Sequence, residues 1–191
     1  MRMGSEVYEQ ICLAAASADE DRGTAIYYVL HRAFGGGRCE KRVMEALADP
    51  YVSRVAKLAL CVKREYHHYF GFVRFREIGG RFLLAKIQPG NDILSLMALH
   101  FSNRFPNENW VIYDEKRQKA LCHEKGKECV MRKGVRIQVP GSAVGDMGEY
   151  EELWQTFCDS ISIEARRNEK LQKQMLALHF RSNMPEFSVK G

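Results

Sequence analysis

Long apolar runs are absent from this sequence. The longest strictly apolar stretches span only a few residues, such as Ile11–Ala16. A helix that crosses a membrane needs about 18 or more apolar residues, so we expect no membrane span, no membrane partner and no secretory signal. Proline is scarce, at 5 of 191 residues, and glycine contributes only 15. These low counts exclude collagen-like and proline-rich disordered chains.

Closely spaced cysteine pairs are also missing. The one cluster, Cys122-His123 with Cys129, is too loose for a structural zinc site, which usually has four ligands in two tight pairs. The wide spacing does not suit the disulfide framework of a short secreted protein either. We therefore expect no metal site, free thiols and a cytoplasmic location. The six cysteines are Cys12, Cys39, Cys61, Cys122, Cys129 and Cys158.

Signatures of nucleotide and cofactor binding are absent as well. The sequence contains no phosphate-binding glycine loop, no Gly-x-Gly-x-x-Gly fingerprint and no iron–sulfur cysteine motif. The His-x-Glu and Pro-Cys-x-x-Cys pattern of zinc deaminases is also missing. These absences argue against an NTPase, a dehydrogenase, a radical-SAM enzyme and a deaminase. We expect no bound cofactor.

The composition is that of a packed protein with unevenly distributed charge. Of its 191 residues, 46% are hydrophobic and 28% are charged, which is typical of one globular domain. Residues 1–61 have no net charge, residues 62–136 carry +7, and residues 137–191 carry −2. The excess of cations in the middle indicates either an anionic partner or a solvated basic face.

Helical periodicity dominates residues 1–69. After a first helix near the N-terminus, apolar spacing predicts helices over about Asp21–Phe34 and Glu40–Ala48. The run Gly35–Gly37 ends the second helix, because glycine is costly inside helices. A fourth helix is predicted to begin at Asp49-Pro50, since aspartate is a good N-cap and proline suits the first helical position.

Alternating apolar and polar residues follow over residues 70–147. They predict one hairpin around Gly79-Gly80, ending in a strand at Phe82–Ile87, and a second from Trp110–Tyr113 and Lys119–His123. A helix at about Ile93–Arg104 separates the two hairpins.

Helical periodicity returns over residues 148–187, with Trp154, Phe157 and Ile161 as core residues. We therefore predict an α+β protein in which residues 1–191 form a single domain. N-terminal helices precede a four-stranded antiparallel sheet, which is built from two hairpins with an intervening helix, and C-terminal helices follow.

Three blocks of sequence carry a family resemblance. The first is Lys63–Phe75, which reads KREYHHYFGFVRF. The second lies within Ile87–Arg117 and includes Ile-Gln-Pro, His-Phe, Arg-Phe-Pro and Trp-Val-Ile-Tyr-Asp. The third lies within Tyr150–Gln172 and includes the Leu-Trp pair at 153–154, Arg166 and Asn168. Together they resemble the bacterial "probable DNA metabolism protein" family, a family of unknown function.

The resemblance implies a role in nucleic-acid metabolism by association. Members of that family look like partners of a radical-SAM protein, and some are fused to a uracil-DNA-glycosylase-like domain. DNA and a radical-SAM protein are therefore the partners that the resemblance implies for this chain. It supplies no catalytic residues to carry over.

Two arginines are predicted to share one face of the first strand. Arg74 and Arg76 alternate with Phe75, so a strand would direct both guanidinium groups to the side opposite the core. Guanidinium groups placed in this way bridge phosphates or stack on bases. The alternative is a solvated outer face with Glu77 as a salt-bridge partner.

Four further residues are candidates in the central region. His100 and Arg104 stand four residues apart on one helix and would share a face, where they suit phosphate binding or acid–base chemistry. The alternative for His100 is a packed, hydrogen-bonded residue. Asp114 and Arg117 fall in a predicted turn, where they either form the turn itself or orient a substrate or metal.

The C-terminal block adds Glu164, Arg166 and Asn168. Glu164 and Asn168 are neighbours on a helix, where they either join helices through hydrogen bonds or form a polar site with Arg166. The family block includes Arg166 and Asn168.

Three hypotheses for function follow. The first is an accessory factor in DNA metabolism or repair that binds nucleic acid through Arg74, Arg76, Arg104, Arg117 and Arg166 and works with an enzyme partner. Asp114, Glu164 and Asn168 would support that site. The second is a hydrolase or lyase acting on nucleic acid, with His100 as the catalytic residue. The third is a protein-interaction module whose basic face meets an acidic partner.

Overall fold

The computed structural model describes residues 4–35, 43–78, 82–137, 176, 178–181 and 184. These residues belong to two compact units. The helical unit comprises the described part of Met1–Tyr69 together with Pro89–Leu96. The sheet unit comprises the described part of Phe70–Gln88 and of Met97–Gly191. The core predicted at Trp154, Phe157 and Ile161 lies outside the described residues.

Three α-helices form the framework of the helical unit. They are α1 (Ser5–Ala15), α2 (Arg22–Phe34) and α3 (Pro50–Phe72), and a short 3-10 turn at Val43–Glu45 precedes α3. The predicted start of α3 is confirmed. Asp49 Oδ1 accepts the backbone N–H groups of Tyr51 at 2.8 Å and Val52 at 3.2 Å, as an N-cap does.

Small aliphatic side chains fill the core of the helical unit. The buried cluster contains valine, alanine and one leucine, and no aromatic residue. Such a core lets helix backbones approach closely but buries little apolar area per residue. Its members are Val7, Ala14, Ala25, Val29, Ala33, Val43, Val52, Val55 and Leu58.

A hydrogen-bonded clasp fixes the loop at Pro89–Asp92 within the helical unit. The Glu65 carboxylate accepts the backbone N–H groups of Gly90 at 2.6 Å and Asn91 at 3.0 Å. Asn91 Oδ1 in turn accepts the N–H of Ala18 at 2.9 Å. A Cβ atom at position 90 would lie 3.3 Å from Glu65 Oε1, so glycine permits this close approach.

The sheet unit contains five strands in the order of the sequence. They are β1 (Arg76–Ile78), β2 (Phe82–Ile87), β3 (Trp110–Asp114), β4 (Lys119–His123) and β5 (Val130–Lys133). Adjacent strands are antiparallel except β2 and β3, which are parallel. The α+β class is confirmed, but the prediction of four antiparallel strands is wrong in detail.

The parallel pair follows from the connection between β2 and β3. Helix α4 (Leu94–Arg104) carries the chain back along the sheet, and a strand–helix–strand crossover places the two strands side by side in the same direction. The two hairpins were recognisable from local alternation, but the relation between them was not. The fifth strand lies in a segment rich in glycine and charge, where alternation is weak.

Aromatic side chains form the core between α4 and one face of the sheet. Phe101 of α4 packs against Trp110 of β3, with ring centroids 6.2 Å apart. Phe75 contacts Phe101 at 5.4 Å and Phe105 at 5.3 Å. Trp110 is fully buried and Phe101 is 2% exposed. Edge-to-face pairs of this kind stabilise beyond the burial of area alone.

The opposite face of the sheet carries a smaller apolar cluster. Ile78, Leu84, Tyr113 and Ala120 are buried there, and Val135 packs beside them. The Tyr113 hydroxyl donates to the Val135 carbonyl at 2.9 Å, which holds the segment after β5 against the sheet. A last helical turn, α5 (Leu178–Arg181), places buried Phe180 against Phe72 at 5.3 Å. Within the described residues, no helix combines the length and apolar character needed to cross a membrane.

Candidate nucleic-acid interface

The two arginines predicted to share a strand face have different surroundings. Strand β1 begins at Arg76, so Arg74 lies before it, and the prediction that both belong to one strand is wrong. The cause is α3, which continues to Phe72 and leaves only three residues before the strand. Arg74 Nη1 donates to the carbonyl of Gly71 in the last turn of α3 at 2.9 Å. Arg76 is exposed.

His100 lies in an aromatic stack. Its ring is parallel to that of Phe70, with centroids 3.9 Å apart and an interplanar angle of 9°. Phe101 meets the same ring edge-on at 5.0 Å. The imidazole is therefore held in one orientation by ring contacts on two sides. This geometry matches the packed alternative for His100; its catalytic role stays a prediction.

Arg104 lies one turn beyond His100 and is exposed. Its guanidinium carbon is 5.6 Å from the centre of the Phe105 ring, within the range of a cation–π contact. Phe105 packs in turn on Phe75. Arg104 forms no ion pair within the described residues, so its charge faces solvent.

Asp114 and Arg117 form the turn between β3 and β4. Asp114 is fully buried. Its Oδ1 accepts the N–H groups of Lys116 at 3.0 Å and Arg117 at 3.1 Å, and its Oδ2 accepts from Arg117 Nη1 at 3.1 Å. Both carboxylate oxygens are used by the turn itself, as in the turn interpretation. Among the described residues, no group of three or more His, Cys, Asp or Glu side chains is arranged to hold a metal.

Three exposed cations lie in the edge strand of the described sheet and directly after it. They are Arg132 and Lys133 in β5 and Arg136 just beyond it. None forms an ion pair with any described residue. Lys133 is directly opposite Lys119 of β4, so like charges stand side by side on this edge.

The β5 cations were missed in the sequence because their strand was not recognised. Only a weak signal was present in Val130, Met131, Arg132 and Lys133, where two apolar residues are followed by two basic ones and then by a glycine at 134. That glycine has φ of +68°, a conformation that favours glycine and ends the strand. A glycine-bounded run directly after a hairpin strand is typical of a third antiparallel strand.

The remaining predicted residues of the site, Glu164, Arg166 and Asn168, lie outside the described residues. Of the predicted nucleic-acid-binding arginines that the structure describes, Arg76 and Arg104 are exposed, while Arg74 and Arg117 bind backbone or carboxylate oxygens. Among the described residues, the cations best placed to meet an anionic partner are therefore Arg132, Lys133 and Arg136 rather than Arg74 and Arg117.

Two cysteines lie near this edge of the sheet. The Ser102 hydroxyl donates to the Ala98 carbonyl at 2.8 Å, which leaves its oxygen to accept the thiol of Cys129 at 3.0 Å. Burial raises the pKa of the Cys122 thiol above its ordinary value, so that thiol is protonated at neutral pH. The four described cysteines are free thiols; Cys39 and Cys158 lie outside the described residues.

His123 and Trp110 form a buried pair across β3 and β4. The two residues are direct partners in the ladder, and their rings stack with centroids 5.1 Å apart. His123 Nδ1 lies 2.9 Å from the Glu108 carbonyl oxygen, which can only accept, so Nδ1 carries a proton. The pair fixes the start of the β3–β4 hairpin, which positions β5.

These features define an α+β protein with a crossover helix packed on a mixed five-stranded sheet and a basic sheet edge. A family model described as a domain of unknown function (DUF4130) matches residues 20–186, and the chain belongs to this family. No curated protein and no solved structure matches the chain.

Proposed function

We propose that the protein is an accessory factor in DNA metabolism that binds nucleic acid through the basic edge of the sheet unit and works beside an enzyme partner. The observation that carries this proposal is the group formed by Arg132, Lys133 and Arg136. These side chains are exposed at the sheet edge and have no ion-pair partner among the described residues, and the strand directs Arg132 and Lys133 to opposite faces of the sheet. Family membership is compatible with this role but does not specify it.

The charge balance of the two units supports the proposal. Over its full range the sheet unit carries 19 basic and 14 acidic side chains, a net charge of +5. The helical unit carries 10 basic and 10 acidic side chains and has no net charge. A polyanion is therefore attracted more strongly by the net charge of the sheet unit than by that of the helical unit.

Exposed arginines at other points of the sheet unit extend the interface. Arg104 is exposed and lies over Phe105, and Arg76 is exposed on β1. Guanidinium groups bind phosphate oxygens in a bidentate manner and need no particular base, so this set of cations suits recognition of a backbone. A radical-SAM partner remains what the family resemblance implies.

The test is the salt dependence of DNA binding. Each cation that neutralises a phosphate releases condensed counterions, so affinity falls with salt. We expect the triple variant Arg132→Gln, Lys133→Gln and Arg136→Gln to reduce the log–log slope by about two to three units. Fluorescence anisotropy with a labelled duplex and a labelled single strand measures the slope and the strand preference together.

A matched control removes the same charge from α3. Lys57, Lys63 and Arg64 are exposed there, and the variant with all three changed to Gln loses the same three charges in the helical unit. We expect its slope to equal that of the wild type. Equal slopes for both triple variants and the wild type would contradict the proposal, as would the absence of any binding at low salt.

A further inference from the structure

Helix α2 buries small side chains and exposes its aromatic ones, while Ile26 packs partly buried against the core. Ala25, Val29 and Ala33 form its buried face. Tyr27 is 61% exposed, Tyr28 44% and Phe34 37%. The ordinary arrangement of an amphipathic helix is the reverse, because burying an aromatic side chain gains more than burying alanine. The outer face of α2 therefore has a composition suited to a second contact.

A ring from α3 extends this outer face. Tyr28 stacks on Tyr51 with centroids 4.1 Å apart and an interplanar angle of 18°. Tyr27 meets Tyr28 edge-on at 5.5 Å, and His31 lies 6.1 Å from Tyr27. The rings hold one another in place, so a partner would order few side chains on binding. We call the surface formed by Tyr27, Tyr28, His31, Phe34 and Tyr51 the tyrosine face.

The charges beside the tyrosine face are already neutralised. Arg32 Nη1 lies 2.6 Å from Asp49 Oδ2, and Arg54 Nη2 lies 2.5 Å from Asp19 Oδ2. Over its full range the helical unit has no net charge, with 10 basic and 10 acidic side chains. A nucleic-acid strand needs uncompensated cations along its phosphates, and among the described residues Arg32 and Arg54 are not such cations, because both pair with aspartates. An uncharged, apolar partner surface is complementary to it.

The spacing and size of the face indicate the kind of partner. Tyr27, His31 and Phe34 stand at i, i+4 and i+7, the row that packs against a second helix. An aromatic side chain presents roughly 150–250 Å² when buried, so the exposed fractions of the tyrosine and phenylalanine rings amount to roughly 350 Å². A stable dimer buries about 800 Å² per partner, which this face does not reach.

We propose that the tyrosine face docks one amphipathic helix of a partner protein, which presents aliphatic side chains to the rings. Among the described residues, nothing hydrogen-bonds to the hydroxyl groups of Tyr27, Tyr28 and Tyr51. They therefore lie at the rim as donors and acceptors for backbone or polar groups of the partner helix. Tyrosine is enriched at such interfaces because one side chain supplies both apolar area and a hydroxyl. The inference goes beyond the proposed nucleic-acid binding and does not depend on it.

The experiment uses a defined probe and the full chain. The probe is a fluorescein-labelled peptide of about 18 residues, five helical turns, with leucine at i, i+3, i+4 and i+7 and equal numbers of Glu and Lys elsewhere. A second peptide has the same composition with the leucines distributed around the helix. Anisotropy gives the affinity, and amide chemical shifts of the isotope-labelled protein locate the contact.

We expect the amphipathic peptide to bind and to shift the amides of α2. Tyr27→Ser with Tyr28→Ser should weaken binding at least about 10-fold, since each tyrosine contributes as an interface anchor. Tyr8→Ser is the matched control, because Tyr8 is 60% exposed and lies outside the face; its affinity should equal that of the wild type. Tyr27→Ser alone, which leaves the Tyr28–Tyr51 stack intact, should weaken binding by a smaller factor.

Four results would overturn the proposal. They are no binding up to about 1 mM peptide, equal binding of the redistributed peptide, oligothymidylate shifting the same amides, and a wild-type dimer in sedimentation that the double variant abolishes. The third result would assign the face to bases and the fourth to a second copy. None of these four depends on the β5 cations.

Discussion

In the helical unit the large aromatic side chains of α2 lie at the surface, whereas in the sheet unit Phe101 and Trp110 form the core. Their charges differ in the same way. The arginines of the helical unit that form ion pairs, Arg32 and Arg54, bind aspartates of that unit, while Arg132 and Lys133 at the sheet edge face solvent. The sheet unit also contains the ion pair of Arg117 with Asp114, so the two units differ in where their aromatic side chains lie and in the sheet-edge cations that lack an ion pair among the described residues. One surface suits an apolar partner and the other an anionic one.

The difference in core composition gives the largest expected effect. Trp110→Ala should destabilise the protein by about 3–5 kcal/mol, because the ring is fully buried and contacts Phe75, Phe101 and His123. Val55→Ala, which removes two carbons from the core of the helical unit, should cost about 2 kcal/mol. Urea denaturation of both variants measures the difference. Equal losses of unfolding free energy in the two variants would contradict the idea that the aromatic core contributes more per side chain than the aliphatic core.

A smaller effect distinguishes packing from catalysis at His100. His100→Ala should cost about 1–3 kcal/mol, since it removes the ring that stacks on Phe70. His100→Phe keeps a flat ring and should cost less than about 1.5 kcal/mol, although it abolishes any acid–base function. Denaturation midpoints of the two variants show whether the stacked ring of His100 accounts for its contribution to stability. If the phenylalanine variant is as unstable as the alanine variant, the polar atoms of His100 matter more than its stacking.

The smallest effect concerns the internal pairing of charge in the helical unit. Backbone hydrogen bonds from Val52 and Tyr51, together with Arg32, hold the pKa of Asp49 below its usual value near 4. A lowered pKa in the folded state means that this stabilisation is fully present above about pH 4 and is lost as the pH falls through the folded value. Asp49→Asn keeps the cap without the titration, so its stability should depend less on pH in that acid range.

The control for the Asp49 prediction is a carboxylate that lies outside the N-cap of α3. Glu128 is exposed in the sheet unit, and Glu128→Gln should leave the acid dependence of the wild type unaltered. Urea midpoints at several pH values between about 2.5 and 7 give the comparison. If the stability of Asp49→Asn depends on pH as strongly as that of the wild type, the Asp49 carboxylate is not the group whose titration lowers stability in acid.

Local signals in the sequence predicted much of the fold. Asp49-Pro50, the strand Phe82–Ile87 and the β3–β4 turn with Asp114 were all recognisable, because capping, alternation and turn chemistry act within a few residues. The parallel pairing of β2 with β3 was not recognisable, because it joins residues separated by a whole crossover. The apolar pattern of a strand does not show which distant strand it pairs with.

The surface groups were harder to predict than the fold. Apolar spacing predicted the helix over about Asp21–Phe34 but not its buried row, which is Ala25, Val29 and Ala33. Two apolar rows on one helix cannot be ranked from the sequence, since only the neighbours decide which one is covered. Arg74 was assigned to a strand because a helix that continues to Phe72 gives no sequence signal of where it stops.

The parallel pairing of β2 with β3 also sets an order of assembly. Hairpins β3–β4 and β1–β2 close over a few residues and can form within microseconds. The β2–β3 ladder pairs strands that the whole of α4 separates in sequence. The chain therefore loses the conformational entropy of closing that long connection before any hydrogen bond of the ladder forms. We therefore expect the two hairpins to be early species and the joining of β2 to β3 to be the slow step of the sheet.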